Sequence, residues 1–550
     1  MVEAQYLKIM NYIVRLWFTL QPLKFEQIFY RIYYKYFPLK VILETKDATC
    51  KPWLWNGPEV LLSSMLSSSR VHYLNLEADI GNSLIWNDSS FEKLWLYNLH
   101  YFDDLNAIDN IERTKCQLLL VKRWITENPP VIGNGWEPYP LSLRIVNLVK
   151  WYNRVGIKDD EIVKSIMSQT LALSKQLEYH ILGNHLFANA KALIFAGCFL
   201  KGIDGERYLS LGLKLLDREI REQFLGDGGH FELSPMYHCI ILWDLLDVIN
   251  LAEIVNNSLL ISRQSYWRSI AEKGLYWLSV MVHPDGEISF FNDATMGVAA
   301  KPSELFDYAI RLGIEYLHVT KNLTVLQDSG YSRIQYPLYT MLVDHAEVGA
   351  SYLAGHGHAD TLSFELSVGK QRVFVNSGTS VYGMSKERLR QRMTGAHNTL
   401  EVDGLSSSDV WSGFRVGHRA KIKLLQAYEG GGKVLVAAEH YGYSRGLKKI
   451  IHQRTITATN SSINILDRVV GNPKLVTSSL HLHPTVNVHF KSNFSVMLEI
   501  QGYEIEVRGD SEISVLDSTW HPEFGLSLKS KKLMFNTCLD NCVIILIKGK

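Results

Sequence analysis

The densest group of side chains that could do chemistry lies in the segment GHGHADTLSFEL, residues 355–366. His356, His358 and Asp360 stand there just before a predicted strand. A metallohydrolase would use H-x-H-x-D-H at such a place, but Thr361 takes the last position and the helical first half does not suit that class. Residues two apart on a strand share a face, so His356 and His358 are expected side by side, one for chemistry and one for a metal or a buried hydrogen bond. Two structural histidines at a sheet edge are the alternative.

Two downstream motifs, RVFVNSGTSVYG and MTGAHNTLEVDG, add Asn376, Tyr382 and His397. Strand pairing could bring these three residues to His358. His358, Asn376 and His397 would then offer nitrogen and oxygen ligands, although a neutral Asn is a weak ligand. The hypothesis is one structural divalent metal at this place, with zinc as the first candidate.

In the first half of the chain, titratable residues cluster on the connections between predicted helices and are sparse on the helix faces. LGNHLFANAKAL puts Asn184 and His185 at a helix start, where a simple N-cap is the alternative for Asn184. DGGHFELSPMYH places His230, Glu232 and Tyr237 on a Gly-rich connection that leads into the next helix. A packed aromatic is the alternative for Tyr237 taken alone.

A tyrosine in an acid/base role fits β-elimination of a uronic-acid polysaccharide. That reaction removes the proton α to a carboxylate and expels the 4-O-glycosidic oxygen, and the carboxylate must be neutralised first. An Asn amide or a protonated His can bind the carboxylate, Tyr or His can take the proton, and Tyr can return one to the leaving oxygen. Asn184, His185, Tyr237 and His356 form that candidate set.

The spacing of apolar residues changes once along the chain. From about residue 101 to 330 apolar residues recur at helical spacing between polar, Gly-containing connections. From 331 to 550 short runs alternate between apolar and polar residues, with Gly, Asn and Asp at the bends. The pattern predicts helix pairs wound into a toroid, followed by an antiparallel sandwich that shares a large interface with it. The aromatic-rich residues 1–100 are predicted as a helical arm packed on the toroid.

Composition excludes several classes of protein. The 550 residues are 47% hydrophobic and 21% charged, which are globular values and enough for two large domains. The net charge of +1 gives no reason to expect a nucleic-acid partner. No apolar run is long enough for a membrane span, and the scattered cysteines form no disulfide framework. Without a recognisable signal peptide the expected location is cytoplasmic, or periplasmic or secreted if the signal is missing from this sequence.

Seven motifs follow one another along the chain: LWLYNLHYFDDL, WEPYPLSLRIVNLVKW, GNHLFANAKAL, GGHFELSPMYH, GHGHADTLSFEL, NSGTSVYG and AHNTLEVDG. As a set they resemble the heparinase II/III-like polysaccharide lyases, which include alginate and oligoalginate lyases. The resemblance implies an α+β multidomain fold, an incomplete (α/α) toroid followed by an antiparallel β-sandwich, and action on an acidic polysaccharide or oligosaccharide. The segments SSDVWSGFRVGHRAK and FYRIYYKYF look most like the branch associated with bacterial capsule and exopolysaccharide production.

The resemblance also implies roles for single residues. Asn184 with His185 corresponds to the group that neutralises the substrate carboxylate, and Tyr237 and His356 correspond to the catalytic Tyr and His. Tyr382 looks like a further tyrosine that some members use. The residues predicted to bind substrate are Trp136, Glu232, His238, Tyr382, Arg388 and Arg392.

The metal site of some members is similar to His358, position 376 and His397. This chain has NSGT where D-P-G-T is usual, so Asn376 replaces the expected Asp. The predicted ligands are therefore His358, Asn376 and His397.

Two other functions remain open at this level. A non-catalytic glycan-binding or assembly protein would keep the cleft without turnover. A glycoside hydrolase or C5-epimerase is the other, and a hydrolase would need two carboxylates across the scissile bond, for which Glu232, Asp293 and Asp227 are candidates. The basic stretch KERLRQR, residues 386–392, would either track substrate carboxylates or form a solvated strand edge.

Overall fold

The computed structural model describes residues 12–40, 48–446, 449–537 and 539–550. The parts of the predicted N-terminal arm at residues 1–11 and 41–47 lie outside the described residues, as does Cys538. None of the described helices is long and apolar enough to span a membrane.

Helices dominate the chain up to residue 311. Their bounds are Phe25–Tyr36, Lys93–Tyr101, Asn110–Glu127, Pro138–Val155, Asp160–Lys175, Gly183–Phe199, Gly202–Gln223, Pro235–Ile254, Ser258–Met281 and Pro302–Arg311, with a short helix Lys386–Arg392 in the second half. A further helical segment covers residues 12–20. Single 3-10 turns lie at Ser83–Asn87, Asp103–Asn106, Asn134–Trp136 and Thr394–Ala396.

The helical region has an inner and an outer layer. Helices Gly183–Phe199 and Pro235–Ile254 are buried on almost every side, which explains why their sequences are apolar all round. Helix Gly202–Gln223 buries one face only and packs along the first of them. A Cβ at Gly197 would lie 2.4 Å from the backbone nitrogen of Leu209, so glycine is needed where these two backbones meet.

Strands form the second half in three main antiparallel sheets. The five-stranded sheet follows chain order: Leu323–Leu326, Tyr331–Tyr336, Tyr339–Asp344, Phe364–Val368 and Gln371–Phe374. The eight-stranded sheet has the order Ile422–Gly430, Lys433–His440, Ile451–Ala458, Ser462–Val470, Asp540–Gly549, Tyr503–Gly509, Ser495–Ile500 and Asn487–Ser492. The four-stranded sheet has the order Ile513–Trp520, Leu528–Thr537, Val476–His481 and Leu400–Val402. Val410–Trp411 pairs with Arg415–Val416 in a small ribbon.

The main apolar core of the sandwich lies between these sheets, and a smaller buried cluster includes Leu400, Val469 and Val476. Strands Ile451–Ala458 and Ser462–Val470 bury every second residue, as expected for strands with one face on a core. Their buried residues meet those of the five-stranded and four-stranded sheets, for example Ile456, Phe364 and Phe535. The helical region followed by an antiparallel sandwich confirms the predicted fold class.

The N-terminal region differs from the expected helical arm. It contains helix Phe25–Tyr36, but Arg70–Tyr73 and Leu76–Asp79 pair as a β-hairpin. The turn between these strands is Leu74–Asn75, two residues with positive φ. Two-residue turns of this kind connect the strands of a β-hairpin, so the prediction of a wholly helical arm was wrong for this stretch.

The helical region and the sandwich share a buried junction. Trp277, Met281 and Phe291 pack against Tyr331 and Leu342 of the five-stranded sheet. The guanidinium of Arg333 donates to the carbonyl oxygens of Val280 and Val282, and His283 contacts the carboxylate of Glu365 at 2.9 Å. These contacts fix the two halves relative to each other at the place where the candidate site lies.

Candidate active site

A large cavity of about 2060 Å³ lies between the N-terminal region, the helical region and the sandwich. Its walls include Asn184, His185, Tyr237 and His356, the four residues of the candidate catalytic set. The residues therefore come from three separate connections that the fold brings to one wall.

Tyr237 lies in the first turn of helix Pro235–Ile254. Ser234 caps this helix: its hydroxyl accepts from the backbone N–H of Tyr237 and donates to the carbonyl oxygen of Asp293. The ring of Tyr237 packs on the ring of His356, with 4.1 Å between the ring centroids. Its hydroxyl lies 3.0 Å from the hydroxyl of Tyr382. The cap thus ties the start of the helix to the loop that carries Asp293.

His356 is held by a buried carboxylate. Its Nδ1 lies 2.8 Å from Oδ2 of Asp293, and the backbone N–H of Asp293 donates to the carbonyl oxygen of His356. Oδ1 of Asp293 also contacts Nε2 of His358 at 2.8 Å, and the guanidinium of Arg388 binds both oxygens. Because the carboxylate can only accept, Nδ1 of His356 carries the proton. Nε2 is then the ring atom that can take a proton from a ligand in the cavity.

Glu232 lies between His356 and the start of the helix that carries Asn184. Its Oε2 is 3.8 Å from Nε2 of His356, and its Oε1 accepts from the backbone N–H of Asn184 at 3.4 Å. Gly183, with φ of +60°, precedes Asn184, and a Cβ there would lie 3.0 Å from Glu232. Nδ1 of His185 contacts Oε1 of Glu178 at 2.8 Å. Asn184, His185 and Glu232 therefore form a polar patch next to His356.

Burial and neighbouring charges set the protonation of this wall. Burial, together with Tyr382 and Asp293, raises the pKa of Tyr237 well above its usual value, so the phenol form is favoured. Burial alone would raise the pKa of Asp293, but Arg388 and the hydrogen bonds from His356 and His358 outweigh it and hold that pKa well below its usual range. Burial raises the pKa of Glu232. Burial disfavours a charged His185, but Glu178 outweighs it and raises the pKa of His185.

Behind this wall, His358, Asp360 and His397 could hold a metal ion. One ligand atom of each lies within 4.8 Å of the others, and all three residues are buried. Nδ1 of His358 and both ring nitrogens of His397 find no hydrogen-bond partner in the described part of the chain. Orphaned imidazole nitrogens beside a carboxylate suit a divalent cation such as zinc, so these residues fit the predicted metal.

Asn376 has other contacts. Its Nδ2 donates to the carbonyl oxygen of Phe290, and its Oδ1 accepts from the backbone N–H of Asn398 at 3.4 Å. Asp360, which the sequence analysis did not include among the ligands, supplies the carboxylate of the group. A ligand role for Asn376 stays a prediction.

Glu232 and Tyr382 line the cavity, but two other residues predicted to bind substrate do not. Trp136 is buried beside Trp124 and donates from its indole to the carbonyl oxygen of Asn128. His238 is fully buried, packs on Trp277 and contacts the carbonyl oxygen of Gly274 through Nε2. The structure contradicts their assignment to substrate binding, because both side chains are buried in the helical region and neither lines the cavity.

The basic stretch 386–392 is neither a track of exposed charges nor a strand edge. It forms helix Lys386–Arg392, and the side chains of Arg388 and Arg392 are fully buried. Arg388 binds Asp293, while Arg392 donates to the carbonyl oxygens of Gly357 and Gly413. The prediction that these two arginines bind substrate was wrong; they brace the loops that carry His356 and Asp293.

The sequence analysis missed the supporting carboxylates. Asp293 was considered only as half of a hydrolase pair, and Asp227 lies elsewhere, accepting from the hydroxyl and N–H of Ser329. Glu178 did not figure at all. The available signal for Asp293 was its position in a Gly-containing connection, HPDGEISFFNDA, of the kind that carries the other candidate residues.

Two family profiles match the chain. The one described as "Heparinase II/III N-terminus" matches residues 112–310, and "Heparinase II/III-like, C-terminal" matches residues 318–548. Between them they span the helical region and the sandwich.

Curated proteins with related sequences include a heparin-sulfate lyase of Bacteroides stercoris, 25% identical over 381 residues that cover 64% of this chain and 53% of that protein. The FtsZ-localized protein C of Caulobacter vibrioides is 24% identical over 341 residues, covering 60% of this chain and 56% of that protein. The chain thus spans about half the length of the curated relatives it matches. Among solved structures, heparinase III superposes with a TM-score of 0.69 at 18% identity, covering 86% of this chain and 80% of that one. This last similarity shows the fold.

Proposed function

The chain belongs to the heparinase II/III-like family, and from that premise we propose that it is a polysaccharide lyase that cleaves a uronic-acid-containing polysaccharide by β-elimination. The observation that carries the proposal is the pairing of Tyr237 with His356 on one cavity wall, with ring centroids 4.1 Å apart. Asn184 and His185 line the same wall. An acid, a base and a carboxylate-binding patch are the three groups that the reaction needs.

The roles follow from the protonation of these groups. His185, whose pKa Glu178 raises against the effect of burial, binds the substrate carboxylate together with the Asn184 amide. Nε2 of His356 takes the C5 proton as Nδ1 stays bound to Asp293. The electron pair of the C5–H bond forms the C4–C5 double bond, and the bond from C4 to the glycosidic oxygen breaks. Tyr237 donates its phenolic proton to that oxygen, a role that its raised pKa favours over the base role.

A structural metal is a second part of the proposal. We infer that His358, Asp360 and His397 would hold one divalent cation, zinc first. Bound there, the cation would fix the orientation of His358, whose other ring nitrogen contacts Asp293. It would not touch the reacting atoms in this scheme.

The finer substrate assignment is also a proposal. Relatives that match the chain are named heparin-sulfate lyases, which supports a sulfated or plain uronate polymer as substrate. The motifs shared with the capsule-associated branch suggest the producing organism's own capsule or exopolysaccharide.

The test is a panel of heparan sulfate, alginate, chondroitin and the organism's own surface polysaccharide. Lyase action creates an unsaturated uronate, which absorbs in the ultraviolet, and products lighter by one water than those of hydrolysis. The His356→Ala variant is the control for contaminating lyases. Hydrolysis products without absorbance would overturn the elimination mechanism.

A non-catalytic glycan-binding role is the second candidate. One observation favours keeping it: a relative of similar identity carries a name that is not that of a lyase, FtsZ-localized protein C. The glycan-binding role would be supported if the folded, zinc-loaded protein bound a polymer of the panel and formed no product.

A further inference from the structure

Two consecutive helices at the start of the described chain expose apolar side chains. The segment 12–20 exposes Trp17 at 64%. Helix Phe25–Tyr36 exposes Phe25 at 80% and Tyr36 at 68%. The full set of exposed apolar residues here is Tyr12, Ile13, Val14, Trp17, Phe18, Leu20, Phe25, Ile28, Phe29, Ile32, Tyr33, Tyr36 and Phe37, which we call the N-terminal face. Contiguous exposed aromatic residues on this scale mark an interaction surface.

On helix Phe25–Tyr36 the exposed apolar residues form one continuous stripe along the helix. At 100° per residue, the exposed residues of helix Phe25–Tyr36 fall within about 140° of its circumference. The opposite side is fixed to the protein: Tyr30 stacks on Tyr179 at 4.6 Å, and the hydroxyl of Tyr34 donates to the carbonyl oxygen of Leu177. The stripe is therefore held outward by contacts on its back.

The preceding segment is anchored to the other half of the molecule. Arg15 donates two hydrogen bonds of 2.8 Å to the carboxylate of Asp409, and Phe18 packs edge-on against His418. The exposed residues Ile13, Trp17 and Leu20 have helical spacing on the side away from Arg15. The N-terminal face thus rests on both the helical region and the sandwich.

The same stretch carries more basic than acidic residues, although Arg15 pairs with Asp409 and Lys24 with Glu222. Residues 12–40 contain one acid, Glu26, and its carboxylate pairs with Arg218 of the helical region. By helical spacing, Lys24, Arg31 and Lys35 fall on one flank of the apolar stripe. The bases of the stretch are Lys24, Arg31, Lys35, Lys40 and Arg15.

We propose that the N-terminal face binds the surface of a lipid bilayer that contains anionic lipids. An apolar stripe rich in Trp, Tyr and Phe, flanked by Lys and Arg, is the composition of helices that lie in the membrane interface. The aromatic rings would enter the headgroup region, and Lys35 and Lys40 would contact lipid phosphates. The proposed contact is peripheral, because the opposite sides of both helices are held by the rest of the protein.

Docking would bring the cavity close to the bilayer. Leu16 of the first helical segment, Leu23 of the connection after it and Gln27 of helix Phe25–Tyr36 line the cavity. Leu20, at the margin of the N-terminal face, lines it as well. Only the thickness of a helix, about 10 Å, would separate the lipid surface from the cavity wall. A membrane-attached polymer is the kind of substrate that could then reach the site, although the inference itself does not depend on lyase activity.

The experiment is flotation of the full chain with phosphatidylcholine vesicles that contain phosphatidylglycerol, and with phosphatidylcholine vesicles alone. The test variant is Phe25→Ser with Phe37→Ser, two side chains that are 80% and 67% exposed. The matched control is Phe490→Ser with Phe494→Ser, two exposed phenylalanines of the sandwich. Circular dichroism checks that both variants fold, and Lys35→Glu tests the charge.

The parent and the control should float with the phosphatidylglycerol vesicles, and added salt should weaken this binding. The test variant should bind at least about tenfold more weakly, and Lys35→Glu should also lose affinity. Equal flotation of test and control variants would overturn the proposal, as would equal binding to neutral vesicles. A parent that does not float but forms a dimer, which only the test variant dissociates, would show that a second copy covers the face.

Discussion

The surroundings of Tyr237 distinguish an acid from a base. A base would need cationic neighbours that stabilise the phenolate, yet the nearest polar group is the hydroxyl of Tyr382, and Asp293 and Glu232 also disfavour the anion. Tyr237 is therefore suited to donate a proton, which leaves His356 as the base in the proposed mechanism. This division of labour could not be decided from the residue types alone.

Tyr237→Phe should lower kcat by about 100-fold or more, the scale of a lost general acid, while folding and sugar binding stay. The change keeps the ring that packs on His356 and removes only the hydroxyl. Tyr339→Phe is the matched control, because its hydroxyl donates to the carbonyl oxygen of Thr459, within the sandwich. Steady-state kinetics by ultraviolet absorbance measures both, and near-normal turnover of a folded Tyr237→Phe would contradict the mechanism.

We expect His185 to set the alkaline limit of the proposed reaction. If charged His185 binds the substrate carboxylate, kcat/KM should fall as the pH rises through its raised pKa, because the ring then loses its proton. Glu178→Gln removes the charge that raises this pKa, so the alkaline limb should move to lower pH. Profiles of kcat/KM against pH for the two proteins measure the shift. An unchanged alkaline limb in a folded variant would exclude His185 as the titrating group.

At the scale of elements, two loops and a short helix meet around one buried carboxylate. Asp293, from the loop after helix Ser258–Met281, binds His356 and His358 from the loop before strand Phe364–Val368. It also binds Arg388 from the helix Lys386–Arg392. These loops have few regular backbone pairs of their own, so the ion pairs hold them together. A metal bound at the proposed group would join one of these loops, through His358 and Asp360, to the segment after helix Lys386–Arg392, through His397, and should add to this bracing.

The proposed metal should therefore support the fold more than the chemistry. Purified protein should contain about one equivalent of a divalent metal, and chelation should lower Tm by about 5 °C or more. His397→Ala should contain no metal, and its Tm should not respond to the chelator. His489→Ala, at an exposed position of the sandwich, is the control that should behave as the parent. Metal analysis with thermal denaturation tests this, and a metal-free parent would remove the proposal.

At the scale of the whole molecule, the junction between the two halves connects stability to the site. Phe291 is buried among Trp277, Met281 and Tyr331, and it lies two residues before Asp293. A change in this packing should alter both the free energy of unfolding and the position of the Asp293 carboxylate. Packing in the sandwich core should affect the first only.

Phe291→Ala should therefore lower the free energy of unfolding by about 3–5 kcal/mol and also lower kcat. Phe535→Ala, a fully buried residue of the sandwich core, should cost a similar free energy and leave kcat close to that of the parent. Denaturant titration and kinetics below the unfolding range give the two values. Equal kcat values for the two variants would mean that the junction does not position the site.

Local patterns were enough for much of the architecture. The change from helical to alternating spacing was visible in the sequence because helices and strands repeat with different periods, and the structure passes from helix Pro302–Arg311 to strand Leu323–Leu326. The β-hairpin at Arg70–Asp79 was not predicted from the sequence, since short runs in an aromatic-rich segment have no clear period. The candidate residues Asn184, His185, Tyr237 and His356 were also recognisable, as titratable residues on connections.

Only the tertiary structure could decide which polar residues face the cavity. Arg388 and Arg392 look like surface charges in KERLRQR, yet both are buried. Arg388 balances the charge of the buried Asp293 carboxylate, and Arg392 donates to the carbonyl oxygens of Gly357 and Gly413. The sequence alone identified the types of chemical group and the elements that carry them. Which groups meet, and with what protonation, depends on contacts between residues far apart in the sequence, such as Asp293 with Arg388, 95 positions apart, and Tyr237 with Tyr382, 145 positions apart. Burial and charge act through space, and sequence spacing does not record them.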